Sequence, residues 1–197
     1  AGRTVIGVDL LGHGTAEKPA DPDDYRNLEQ RVLDVLPPEP VDGIGFSMGA
    51  QVLLWLAAHH PDRFGRLGVS GIGRNLFESE GEWRPKMVEA VRTGMAATPE
   101  LRYFAQLPES PDADRMALVA FLERPDRREF SPELLASVTL PVLVVIGGAD
   151  LAGPADPLVD ALPDASLVVL PGVDHFATPK NFSFIEAALD FIDAQPF

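Results

Sequence analysis

At 197 residues, with 46% apolar residues and a mean hydropathy of +0.05, the chain has the size and composition of one soluble domain, and of neither a disordered acidic tail nor a membrane protein. Thirty acidic against 16 basic residues leave a formal charge of −14, which argues against nucleic acid and anionic lipid as partners. Cysteine is absent, so disulfides, thiolate nucleophiles and Cys-ligated zinc are excluded.

Residues 5–9 (V-I-G-V-D) form a short apolar run of the kind that a parallel strand covered on both faces requires. A glycine turn follows at Gly12-His13-Gly14. Over residues 21–38, Tyr25, Leu28, Val32, Val35 and Leu36 recur at spacings of three and four, which predicts an amphipathic helix stopped by Pro37-Pro38. A second strand is expected at 44–46. The helix expected over 48–60 is apolar nearly all round and belongs in the interior. Further strands are expected at 67–70, 140–146 and 166–170, with helical spacing over 158–162 and 182–194. Strands alternating with helices predict an α/β fold, a mostly parallel sheet flanked by helices.

Residues 74–138 break this pattern, with six prolines, many charges, helical segments near 86–96 and 112–124, and no evident strand. They are expected to form a small helical lid inserted into a core made of residues 1–73 and 139–197. Trp83, Met87, Met95, Tyr103, Phe104 and Phe121 are candidate walls of an apolar pocket within it. The longest strictly apolar run, 52–58, is too short to span a bilayer, and no signal segment is visible, so the cytoplasm is the expected compartment.

Gly45-Phe46-Ser47-Met48-Gly49 matches G-x-S-x-G between a predicted strand and a predicted helix. On such a turn the Ser47 hydroxyl stands above the sheet, and flanking glycines relieve crowding. The helix start also aims unpaired N–H groups, the Met48 N–H among them, at the reacting centre as an oxyanion donor. A serine needs a neutral imidazole as base and a carboxylate to fix its tautomer. Of the four histidines, His59 and His60 stand at the far end of the helix, and His13 precedes the serine in a loop and is expected to be structural. His175 follows the last strand on the carboxyl edge and is the expected base. Asp150, after the strand at 140–146, is the expected acid. Its rival Asp174 adjoins the histidine, so its side chain diverges from that ring.

Besides the elbow, Asp9-Leu10-Leu11-Gly12-His13-Gly14 with Glu17-Lys18-Pro19 resembles the D-x-x-G-H-G-x-S-x-K-P segment of the α/β-hydrolase superfamily. His60-Pro61-Asp62-Arg63-Phe64, the P-V-L-V-V-I-G-G-A-D run over 141–150 and the loop around His175 resemble the same superfamily, particularly its small esterase, lactonase and cofactor-free perhydrolase-like members. The resemblance covers nearly the whole chain. It implies a serine hydrolase acting on a small ester-like substrate through Ser47, His175 and Asp150, with an acyl-enzyme and no cofactor. Serine at the elbow argues against the haloalkane dehalogenase and epoxide hydrolase branches. Members of the superfamily carry a further strand ending in a His-Gly loop that supplies a second oxyanion N–H, for which this sequence has no room. Three alternative expectations follow from that departure: the 197 residues are a piece of a longer polypeptide, the chain is a short variant whose first two strands pair directly, or it is a hydrolase-like ligand-binding protein with weakened turnover. No nucleotide motif accompanies Gly147-Gly148, Asp21-Pro22-Asp23-Asp24 lacks EF-hand spacing, and no metal site is expected.

Overall fold

A computed structural model describes residues 2–78, 81, 83–125 and 128–194. Among them four strands, β1 (Val41–Phe46), β2 (Phe64–Ser70), β3 (Val142–Gly147) and β4 (Ala165–Leu170), form one parallel sheet in the order β1-β2-β3-β4. All six residues of β3 are buried, as an interior strand covered on both faces requires. The α/β class expected from the alternating pattern is the one observed.

The elements assemble into two compact units. The first contains Ala1–Val5, Leu36–Glu78 and Arg128–Phe197, and therefore the whole sheet. Its helix α2 (Met48–His59) packs on β1 and β2. In-register residues of parallel strands point to the same face. Gly43, Leu67 and Val142 accordingly turn toward α2, where the Leu53 methyls lie against Gly43. Leu143 and Val145 turn to the other face, where they join Leu170 and the helix α8 (Phe182–Phe191) through Phe184 and Ala188. The short helices α6 (Pro132–Leu135) and α7 (Asp156–Ala161) complete this unit.

The second unit contains Ile6–Val35 and Ser79–Arg127. It holds α1 (Leu28–Val35), α3 (Trp83–Thr93), α4 (Pro99–Gln106) and α5 (Arg115–Glu123). Met87, Ala90, Leu101 and Ala105 bury the α3–α4 contact, and Val91, Leu118 and Val119 bury the α3–α5 contact. The Arg84 and Arg115 guanidiniums tie these helices by donating to the carbonyls of Leu122 and Val91. Tyr25, almost wholly buried, donates its hydroxyl to the Pro19 carbonyl at 2.8 Å.

Three expectations are corrected. Residues 5–9 are not a strand: no neighbour pairs with them among the described residues, and Val5 is 88% exposed. An apolar β-branched run becomes a strand only where another strand takes up its backbone groups. The helix expected over 21–38 is split into a 3-10 turn at Pro22–Tyr25 and α1, because Asn27 takes a left-handed φ of 56° between them. Finally, α4 and α6 have no counterpart among the expected helices. Both begin Thr/Ser-Pro-Glu, with the hydroxyls of Thr98 and Ser131 accepting from the N–H groups of Leu101 and Leu134, a cap followed by proline in the first turn.

Candidate active site

The turn from β1 into α2 carries Ser47 at φ 51° and ψ −113°, outside the regions that non-glycine residues ordinarily occupy. Its backbone is fixed on both sides. The Ser47 N–H donates to the Ser70 carbonyl of β2 at 2.8 Å, and its own carbonyl accepts the Gln51 N–H at 3.1 Å as the first bond of α2. The two motif glycines are not equivalent. A Cβ on Gly45 would stand 2.7 Å from the Ala50 nitrogen and from the carbonyl group of Gly49, so only glycine fits there. A Cβ on Gly49 meets nothing within 4 Å beyond its own helical turn, contrary to the expectation that both glycines relieve crowding.

Asp150 and His175 come from the loops after β3 and β4, which are fastened to each other. The N–H of Gly148 donates to the Leu170 carbonyl at 2.8 Å and that of Ala149 to the Val173 carbonyl at 3.0 Å. The His175 Nδ1–H donates to Asp150, with Oδ1 at 2.9 Å and Oδ2 at 3.1 Å. Asp150 Oδ1 also accepts the Ala152 N–H at 2.8 Å, and the carboxylate is fully buried. An ionised carboxylate only accepts, so it selects the Nδ1–H tautomer and leaves His175 Nε2 with a free lone pair. Ser47 Oγ lies 3.2 Å from that nitrogen and donates to it. Residues separated by 128 and 25 positions in the chain thus form one hydrogen-bonded line.

The other candidates fall elsewhere. The Asp174 carboxylate accepts from the N–H groups of Phe176 and Ala177 at 3.0 and 2.8 Å, capping the turn that presents His175. His13 belongs to the second unit. Its Nδ1–H donates to the Leu11 carbonyl at 3.1 Å, its ring meets Phe121 edge to face at 5.0 Å, and burial pushes its pKa below the ordinary value. His59 stacks on Trp55 at the end of α2, and His60 is exposed beyond it. Met48 opens α2, where its N–H has no intrahelical acceptor. Among the described residues no group of three or more His, Asp and Glu side chains is placed to hold a metal ion, and no helix is long and apolar enough to cross a membrane.

Two neighbours of His175 carry no sequence signal of a role. The Phe46 ring lies against the imidazole with 4.7 Å between centroids and a tilt of 44°. Gly71, at a φ of 67° just past β2, has a bare Cα where a Cβ would stand 2.4 Å from Phe46 Cε2 and 3.1 Å from His175 Cε1.

The sequence profile described as the Alpha/beta hydrolase family matches residues 1–192. The chain belongs to that family. This α/β hydrolase is 32% identical over 174 residues to a pimeloyl-[acyl-carrier protein] methyl ester esterase of Neisseria meningitidis serogroup A, a match covering 76% of this chain and 54% of that protein. To 3-oxoadipate enol-lactonase 1 of Acinetobacter baylyi it is 26% identical over 168 residues, covering 74% of this chain and 61% of the relative. The chain thus spans about half to two thirds of the length of these relatives. Among solved structures, the enol-lactonase from Burkholderia xenovorans LB400 superposes with a TM-score of 0.74 at 25% identity, over 94% of this chain and 79% of that one.

Proposed function

We propose that this α/β hydrolase cleaves a small ester or lactone by acyl transfer to Ser47. The observation that carries the reading is the continuous line from the buried Asp150 carboxylate through His175 to the Ser47 hydroxyl, with contacts of 2.9 and 3.2 Å. The esterase and enol-lactonase relatives support a carboxylic-ester substrate class.

Each residue then has one task. Ser47 Oγ attacks the substrate carbonyl carbon while its proton passes to His175 Nε2. The carbonyl oxygen becomes an oxyanion, and the Met48 N–H at the start of α2 donates to it. His175, now an imidazolium, is held by Asp150 and returns the proton to the departing alkoxide. The acyl group stays on Ser47 until a water, deprotonated by His175, attacks the same carbon and releases the acid. No step requires a cofactor from this chain.

A fluorophosphonate reagent and a short-chain p-nitrophenyl ester test the assignment. Covalent labelling at Ser47 together with ester turnover is expected, and Ser47→Ala should abolish labelling and lower kcat by about 10³-fold or more. Full turnover by Ser47→Ala overturns the assignment.

A further inference from the structure

The hydrogen bonds to His175 fix its two nitrogens, with Asp150 on one and Ser47 on the other. Contacts made in the plane of a ring leave its tilt about the line through those nitrogens loosely determined. Packing on the faces and rim must set it. Phe176 meets the imidazole edge-on at 5.1 Å and 84°, and Phe46 lies across it at 4.7 Å and 44°. Gly71 makes the second contact possible, because Phe46 Cε2 and His175 Cε1 converge on the space that a side chain there would fill.

Phe46 is also covalently joined to the nucleophile. It ends β1 immediately before Ser47, in register with Ser70, whose carbonyl holds the Ser47 N–H. The side chain that braces the base and the backbone that carries the nucleophile are therefore parts of one rigid strand end.

The His175 tilt decides whether the Nε2 lone pair points at the Ser47 hydroxyl, so a ring that sets it acts on the proton transfer and not on substrate binding.

We infer that Phe46 is a positioning residue for the acyl transfer proposed above, fixing the tilt of His175. The inference rests on the hydrolase reading. Its test compares wild type with Phe46→Leu, Phe46→Met and Phe46→Tyr, using steady-state ester hydrolysis and the rate of fluorophosphonate labelling. Leu keeps apolar bulk, Met keeps length and flexibility, and only Tyr keeps a flat rigid ring. Phe46→Leu and Phe46→Met should each lower kcat and the labelling rate about tenfold, with KM within about twofold of wild type. Phe46→Tyr should restore kcat to within about threefold. If the Leu variant does not fold, the Met variant decides. Wild-type kcat in a folded Leu or Met variant overturns the inference, as does a Tyr variant as slow as Leu, which would show that a flat ring at this position does not set the tilt. A wild-type chain whose Ser47 is never labelled overturns the hydrolase reading and this inference with it, so the two failures are told apart.

Discussion

The backbone of Gly147 lies so close to Val173 that a Cβ on the glycine would stand 2.1 Å from the Val173 carbonyl oxygen. This contact joins the end of β3 to the loop that carries His175. It lets the Ala149 N–H reach the same carbonyl, and Asp150 follows one residue later. Gly147→Ala must push the two loops apart, since the clash is with backbone and no rotamer relieves it. The expected cost is about 3 kcal/mol of stability, with kcat reduced about 10²-fold or more because misplacement by an ångström is enough to uncouple His175 from Ser47. Chemical denaturation and ester hydrolysis check both effects; an alanine variant with wild-type kcat would show that the loops dock without this close approach.

The elbow glycines should separate in the same way. Gly45→Ala places a methyl group against the backbone of Gly49 and Ala50 and is expected to cost about 3 kcal/mol or prevent folding. Gly49→Ala enters open space within the first turn of α2, where alanine is the better helix former, and should raise stability by about 0.5 kcal/mol. Equal effects of the two substitutions on the denaturation midpoint would contradict this.

The contrast between these glycines marks where sequence stops being informative. Period and composition locate β1 to β4, because a buried strand and a buried helix must hide their apolar side chains from water whatever surrounds them. The same logic fails for residues 5–9, whose β-branched content predicts a strand that only a neighbour can make real. It fails at Asn27, where a left-handed residue interrupts an intact apolar period. Ser47, Asp150 and His175 are each legible as loop residues beyond predicted strands, and their placement on one edge follows from a parallel sheet. Phe46 and Gly71 are not, since their proximity to His175 depends on the register of β1 against β2 and on a positive φ that neither neighbour announces.

Asp150 is expected to matter through the tautomer it imposes. Asp150→Asn keeps the size of the side chain but offers an N–H₂ group as well as a carbonyl, so His175 is free to turn its Nδ1 lone pair toward residue 150 and its N–H toward Ser47. In that state Nε2 cannot accept the serine proton. The predicted result is a fall in kcat of about 10⁴-fold with KM little changed, measured with the same ester and with folding verified by thermal denaturation. A variant within tenfold of wild type would mean that the carboxylate does not orient the base.

His13 supplies a pH dependence independent of the chemistry. Burial lowers its pKa from the ordinary 6.5, and the nearby Arg124 and Lys18 charges act in the same direction, against the opposing effects of the Leu11 carbonyl and Asp9. In the unfolded chain His13 takes up a proton near pH 6.5, whereas in the folded chain it does so only at lower pH. Between those two values the unfolded state binds more protons, so stability from this residue is complete above pH 6.5 and declines as the pH falls toward the folded pKa. His13→Asn removes the titration while its amide N–H still reaches the Leu11 carbonyl, and its stability at pH 8 should lie within about 1 kcal/mol of wild type. Denaturant unfolding at pH 8, 6.5 and 5 should therefore show the wild type losing more stability on acidification than the Asn variant, and parallel losses in the two proteins would place the pH dependence elsewhere.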